Sequence, residues 1–171
     1  VATTSEKTQA KKEAPDHLTK ISFYINAWAS VYFLFFNLIT LLAVNNNAII
    51  AKYKQLHVLQ LIEKRGAELG FESGVFQTAM NQYYVISLIL FLPIALSLLF
   101  LWKKRMVFYP IIMFSVTLQI LFMIILLGPT YFWVDMTFTD KLMWLILLAN
   151  SSLYRVLLKK EKLSGKISFF D

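Results

Sequence analysis

Residues 83–127 read YYVISLILFLPIALSLLFLWKKRMVFYPIIMFSVTLQILFMIILL. Two apolar runs, 83–102 and 106–127, flank the basic triplet Lys103, Lys104 and Arg105, and neither run contains a charged residue. Each is about as long as the 20 residues a helix needs to cross a hydrocarbon core of about 30 Å. The stretch therefore predicts two consecutive membrane spans joined by a very short basic connection.

Working outward, residues 21–44 form a further apolar run. It is rich in aromatics (Phe23, Tyr24, Trp28, Tyr32, Phe33, Phe35, Phe36) and ends at Asn45, Asn46 and Asn47. Residues 142–158 form a fourth, weaker run that carries Asn150, Ser151, Ser152 and Arg155 and closes on Lys159 and Lys160. Arg155 lies near the basic end, where its long stem can snorkel to the interface. Trp133 and Trp144 flank the far ends of the third and fourth runs, where an aromatic belt is expected. Composition agrees. Of the 171 residues, 58 % are hydrophobic, above the roughly 45–50 % of soluble domains, and mean hydropathy is +0.60. A soluble domain of this size has too little interior to hide that much apolar surface. The expected fold is all-α: a polytopic membrane protein with four transmembrane helices.

Loop charge sets the expected orientation. Basic residues concentrate on the cytoplasmic side of short loops, so the Lys103–Arg105 connection is expected inside. The stretch 128–140 has no Lys or Arg but carries Asp135 and Asp140, and is expected outside. Both termini then fall inside, and only Lys52, Lys54, Lys64, Arg65 and Lys141 of the 17 basic residues lie outside. A bacterial inner (cytoplasmic) membrane is the first expectation. A mitochondrial inner membrane, with the basic ends in the matrix, is the second. The polar opening, residues 1–20, lacks the apolar core of a secretory signal, although a cleaved mitochondrial presequence fits the sequence. It and the basic segment 159–171 are expected as tails around a transmembrane domain spanning 21–158.

Residues 45–82 form a long connection between the first two runs. Ile49, Tyr53, Leu56 and Leu59 recur at helical spacing. Gly66, Gly70 and Gly74 fall at i, i+4, i+8 among acidic residues, which points to a flexible break rather than to the close packing such spacing marks in an apolar span. An extracytoplasmic helical hairpin is expected here, either projecting from the membrane or lying on it.

Candidate chemistry is sparse. With no cysteine, disulfides, iron–sulfur clusters and thiolate zinc sites are excluded. A bis-histidyl haem needs two imidazoles facing one iron, but His17 and His57 are expected on opposite sides of the bilayer. Glu63, Glu68 and Glu72 offer a weak hard-cation site, with solvated surface acids as the simpler reading. Ser151 and Ser152 have no histidine or acid at their depth to activate them. Asn37, Gln119 and Asn150 are the amides inside the runs and are expected to make interhelical polar contacts. No Asp, Glu or Lys lies in the run interiors, which argues against a proton relay. No catalytic residue, metal ligand or cofactor-binding residue is assigned, and no cofactor is expected.

The leading expectation is a non-catalytic accessory or structural subunit of a larger membrane protein complex. Its partners would be other membrane subunits and lipid. Nucleic acid is not expected, because the basic residues flank apolar runs instead of lining a polar face. A partner interface is expected first around Tyr53, His57, Gly66 and Gly70. Lys103, Lys104 and Arg105 serve as a topology anchor that also attracts anionic headgroups. The layout is similar to that of immunity proteins for pore-forming colicins: small, basic, four spans, both ends inside, a sizeable first outer loop and a short basic second loop. The likeness is one of topology and rests on no motif. It implies an immunity protein against a pore-forming toxin as the alternative, beside an oligomeric small-solute channel or exporter.

Overall fold

The computed structural model describes residues 15–45 and 58–164. Five α-helices run in order: α1 (His17–Asn45), α2 (Val58–Glu68), α3 (Val75–Trp102), α4 (Phe108–Leu127) and α5 (Phe138–Leu163), with a short π-helical turn, Tyr131–Asp135, before α5. No strand occurs among the described residues. Four helices, α1, α3, α4 and α5, are long and apolar enough to cross a membrane.

These four close into an up-down-up-down bundle. α1 packs on α3 and α5, and α4 packs on α3 and α5, while the diagonal pairs stay apart. Lys104, in the α3–α4 turn, bonds Asp16 at 3.0 Å and approaches Glu161 at 3.7 Å, so both described chain ends meet that turn at one end of the bundle. This is the basic end. Asp135 and Asp140 mark the opposite, acidic end.

α1, α3 and α5 outrun the apolar stretches that predict them, whereas α4 begins two residues inside its run, and the helix ends have local causes. Asp16 caps α1 by accepting a hydrogen bond from the backbone N–H of Thr19 at 2.8 Å. Thr137 caps α5, accepting from the N–H of Asp140 at 3.1 Å while its hydroxyl donates to the Asp140 carboxylate at 2.7 Å. Gly128 follows α4 at φ 86°, a left-handed backbone that suits glycine. α3 continues through Pro93, which membrane helices tolerate.

The core is layered along the bundle axis. Near the basic end Phe108 packs on Tyr154, whose hydroxyl meets Thr19 at 2.7 Å. In the next layer Asn150 donates to the Ser22 carbonyl at 3.0 Å, and Ser151 donates to Asn26 Oδ1 at 3.3 Å. Further along, Phe33 packs against both Phe91 and Trp144. Trp144 departs from its expected place in an aromatic belt, because it turns into the bundle and is buried. Trp133, in the π-helical turn, is exposed. The outer surface of the bundle carries large apolar side chains all round, including Leu92, Leu96, Phe114, Ile125 and Leu145, as lipid-facing helices do.

α2 packs against the first turns of α3 and touches α1. Its inner face is Ile62, Gly66 and, just past its end, Leu69. Gly66 differs from the flexible break expected of it. It lies inside α2, and a Cβ there would fall 2.6 Å from Cβ of Phe76, so its lack of a side chain lets α2 and α3 approach closely. The turn lies later, where Gly70 and Gly74 take φ of 87° and 78°.

Candidate functional site

The acidic end of the bundle encloses a cavity of about 210 Å³. All four long helices build it. Phe33, Phe36, Tyr83, Tyr84 and Trp144 supply aromatic side chains to its lining, and Asn37, Ser87 and Gln119 are its buried polar residues. Asp135, Thr137 and Asp140 line it from the connection between α4 and α5.

Two states of polar satisfaction meet in this space. Asn37 on α1 donates to Ser87 Oγ on α3 at 2.8 Å and so joins two helices. Gln119 is 1 % exposed, yet its amide nitrogen and oxygen both lack a hydrogen-bond partner among the described residues. The indole N–H of Trp144 is unpartnered as well. Buried amides are nearly always paired; two unpaired side chains stand beside this cavity, and a second pair, Ser22 Oγ and Asn26 Nδ2, lies in the Asn150–Ser151 layer.

The carboxylates differ in the same way. Asp135 is neutralised by Arg65 of α2, which reaches it with two hydrogen bonds at 2.7 and 3.0 Å and donates a third to Glu68 at 2.6 Å. Asp135 first, and then Glu68, raises the proton affinity of the Arg65 guanidinium above its ordinary value, so this clasp stays ionic. Asp140 accepts from Tyr32 at 2.8 Å and from Thr137 at 2.7 Å, and has no salt-bridge partner among the described residues. Of the two carboxylates lining the mouth, Asp135 is thus paired with a cation and Asp140 is not, and the neighbouring Lys141 is turned to the Trp133 carbonyl at 2.8 Å. Tyr131 closes this side by contacting the Tyr84 hydroxyl at 3.1 Å, and burial pushes its phenol upward from the usual 10.0.

The residues singled out from sequence separate accordingly. Asn37 joins α1 to α3 and Asn150 joins α5 to α1, while Gln119 joins nothing. Gly66 and Gly70 sit at the end of α2, and Tyr53 and His57 lie outside the described residues. In the basic triplet, Lys104 takes a left-handed backbone at φ 54° and ties the turn to Asp16 and Glu161, while Lys103 and Arg105 are exposed. Arg155 lies over the ring of Tyr109 at 4.2 Å, a cation–π contact that holds it at the basic end. Glu68 is drawn to Arg65, and no three His, Asp or Glu side chains converge on a metal-sized point among the described residues.

Nothing in the sequence pattern marks Tyr32 or Trp144 as a site residue, and Asp140 is marked only indirectly. One signal was available: Thr137-x-x-Asp140 before an apolar run is a helix-start signature, and it fixes Asp140 at the mouth of the bundle. No protein-family model, curated protein or solved structure matches the chain.

Proposed function

We propose that this protein is a non-catalytic accessory subunit of a larger membrane complex, contributing a transmembrane helix face to its partners. The observation that carries the reading is Trp28, 70 % exposed on α1. It lies eight residues beyond Lys20, about 12 Å along the helix at 1.5 Å per residue. Tryptophan favours the membrane interface, where its N–H finds acceptors. At this depth lipid tails offer none. Ile21, Tyr24, Val31, Phe35 and Leu38 extend the same exposed stripe at alternating three- and four-residue steps, the spacing that lets one helix interlock with another.

In this reading the basic end faces the cytoplasm of a bacterium or the matrix of a mitochondrion, as the positive-inside rule directs. α2 and the first turns of α3 form an extracytoplasmic helical hairpin. α3 is 28 residues long, about 42 Å, which exceeds a hydrocarbon core of about 30 Å, and the excess carries α2 clear of the lipid. Buried hydroxyls and amides join the helices, and no nucleophile, acid and base stand together among the described residues, which supports a structural role over an enzymatic one.

The test is purification of the untagged protein in mild detergent from its native membrane, with a photo-crosslinking residue in place of Trp28. A native band much larger than 19.9 kDa plus detergent, with a crosslink from position 28 to a transmembrane segment of another subunit, is expected. A band near the size of the single chain, with position 28 crosslinked only to lipid, would end the accessory reading. It would favour an immunity protein or a small transporter.

A further inference from the structure

We propose that the cavity at the acidic end binds a small organic ammonium ion that also carries an oxygen acceptor, the chemistry of an amino alcohol. Its volume, about 210 Å³, lies below the roughly 300–1,000 Å³ of sites for drug-sized molecules, so the occupant is small. Charge selects its sign. Asp140 faces the cavity as the one carboxylate without a cation, while Arg65 occupies Asp135. Hydrogen bonds from Tyr32 and Thr137 fix the Asp140 carboxylate in place before any ligand arrives, which lowers the ordering cost of binding.

The wall then selects an organic cation over a bare metal ion. Phe33, Phe36, Tyr83, Tyr84 and Trp144 present aromatic rings, and the negative faces of such rings attract ammonium groups, most strongly where water is excluded. A hard metal ion would need several oxygen ligands, and Asp140 alone falls short of that. The buried groups complete the complement. The amide of Gln119 and the indole N–H of Trp144 lie unpartnered just behind this wall, and a turn of either side chain on binding brings a donor, and with Gln119 also an acceptor, to a ligand oxygen. A molecule with an ammonium at one end and a hydroxyl or ester oxygen at the other answers both. Two sources supply that chemistry: a free amino alcohol, or the headgroup of an ethanolamine or choline phospholipid.

The experiment uses the full chain in nanodiscs of phosphatidylglycerol, which lacks an ammonium headgroup, with radiolabelled choline and ethanolamine as probes and 3,3-dimethylbutan-1-ol as the uncharged competitor. Saturable binding of at least one probe is expected, with no displacement by the uncharged alcohol. Asp140→Asn should weaken binding by tenfold or more. Because Asp140 also holds the hydroxyl of Thr137, the cap of α5, Gln119→Leu and Trp144→Phe provide a second route. Both leave the cap intact, and each should weaken binding severalfold while the circular dichroism spectrum stays unchanged. Repeating the titration in discs containing phosphatidylethanolamine separates the sources. Displacement of the soluble probe assigns the site to a lipid headgroup, and undiminished binding assigns it to a free amine. Absence of saturable binding, equal competition by the uncharged alcohol, or unchanged affinity in all three variants would overturn the proposal.

Discussion

Replacing Gln119 and Asn37 with apolar residues of similar size should change stability in opposite directions. Both are amides in the bundle interior, and by composition alone the two substitutions are equivalent. The structure separates them. Asn37 gives its amide hydrogen to Ser87 at 2.8 Å, and an interhelical hydrogen bond of this kind contributes about 0.6 kcal/mol on average and up to about 1.7 in membrane proteins. Asn37→Leu should therefore cost about 1 kcal/mol. Gln119 keeps two polar atoms unpaired in the core, and an unsatisfied buried group costs about 1–3 kcal/mol. The gain from removing it is trimmed because separated helices in a membrane also leave polar groups poorly solvated. Gln119→Met, which conserves volume, should thus stabilise by about 1 kcal/mol. Titration of the protein in mixed micelles with a denaturing detergent, followed by far-ultraviolet circular dichroism, reads both changes on one scale. A loss at Gln119 matching that at Asn37 would refute the reasoning, because it would show that the Gln119 amide is satisfied in the folded protein. A gain, joined to weakened probe binding, would mark Gln119 as a residue whose polarity serves function at the expense of stability.

Three further outcomes follow from single contacts. Gly66→Ala places a methyl 2.6 Å from Cβ of Phe76, so α2 must lift from α3 at about 1–3 kcal/mol; hydrogen exchange across Val58–Glu68 should accelerate while the four long helices stay protected. Burial alone would raise the Asp16 carboxyl, but hydrogen bonds from Thr19 and Lys104 outweigh it and hold the group below 3.8. A depressed carboxylate stabilises the fold above its ordinary value and loses that contribution as pH falls through the folded one, so the wild type should lose stability below about pH 4 by a modest step that Asp16→Asn lacks. Neutralising Lys103, Lys104 and Arg105 together should scramble insertion, read by labelling single cysteines added to the tails of this cysteine-free chain. Normal topology in that variant would remove the triplet's role as an anchor.

The helical architecture was legible in the sequence because the bilayer imposes it. A run of about 20 uncharged apolar residues has one stable form in lipid, and 83–102 and 106–127 could hardly be read otherwise. The ends of the helices were less legible. α1 begins at His17 and α3 at Val75, each several residues before its apolar run, because caps and helix-to-helix packing continue a helix through polar residues that hydropathy discounts. Gly66 was misjudged for a related reason. Its neighbours in sequence are polar, and the partner that makes it valuable, Phe76, sits on the next helix.

The site was the least legible part, since it depends on which polar groups find each other. Asn37, Gln119 and Asn150 look alike along the chain, each an amide set among apolar neighbours. Asn37 falls level with Ser87 on the adjacent helix, and Asn150 falls level with the Ser22 carbonyl. Gln119 falls level with no hydrogen-bond partner among the described residues. Nothing in local spacing distinguishes these cases, because the register between helices is set by ring layers such as Phe33–Phe91 and Phe33–Trp144. The same layers explain why the cavity sits where it does. Arg65 closes one carboxylate of its mouth from a helix outside the bundle, leaving Asp140 as the charged group that can meet an incoming molecule. A chain selected only to fill a bundle would gain stability by making position 119 apolar. An amide there, beside an unpaired indole and near the Asp140 carboxylate, is what the proposed ammonium site calls for.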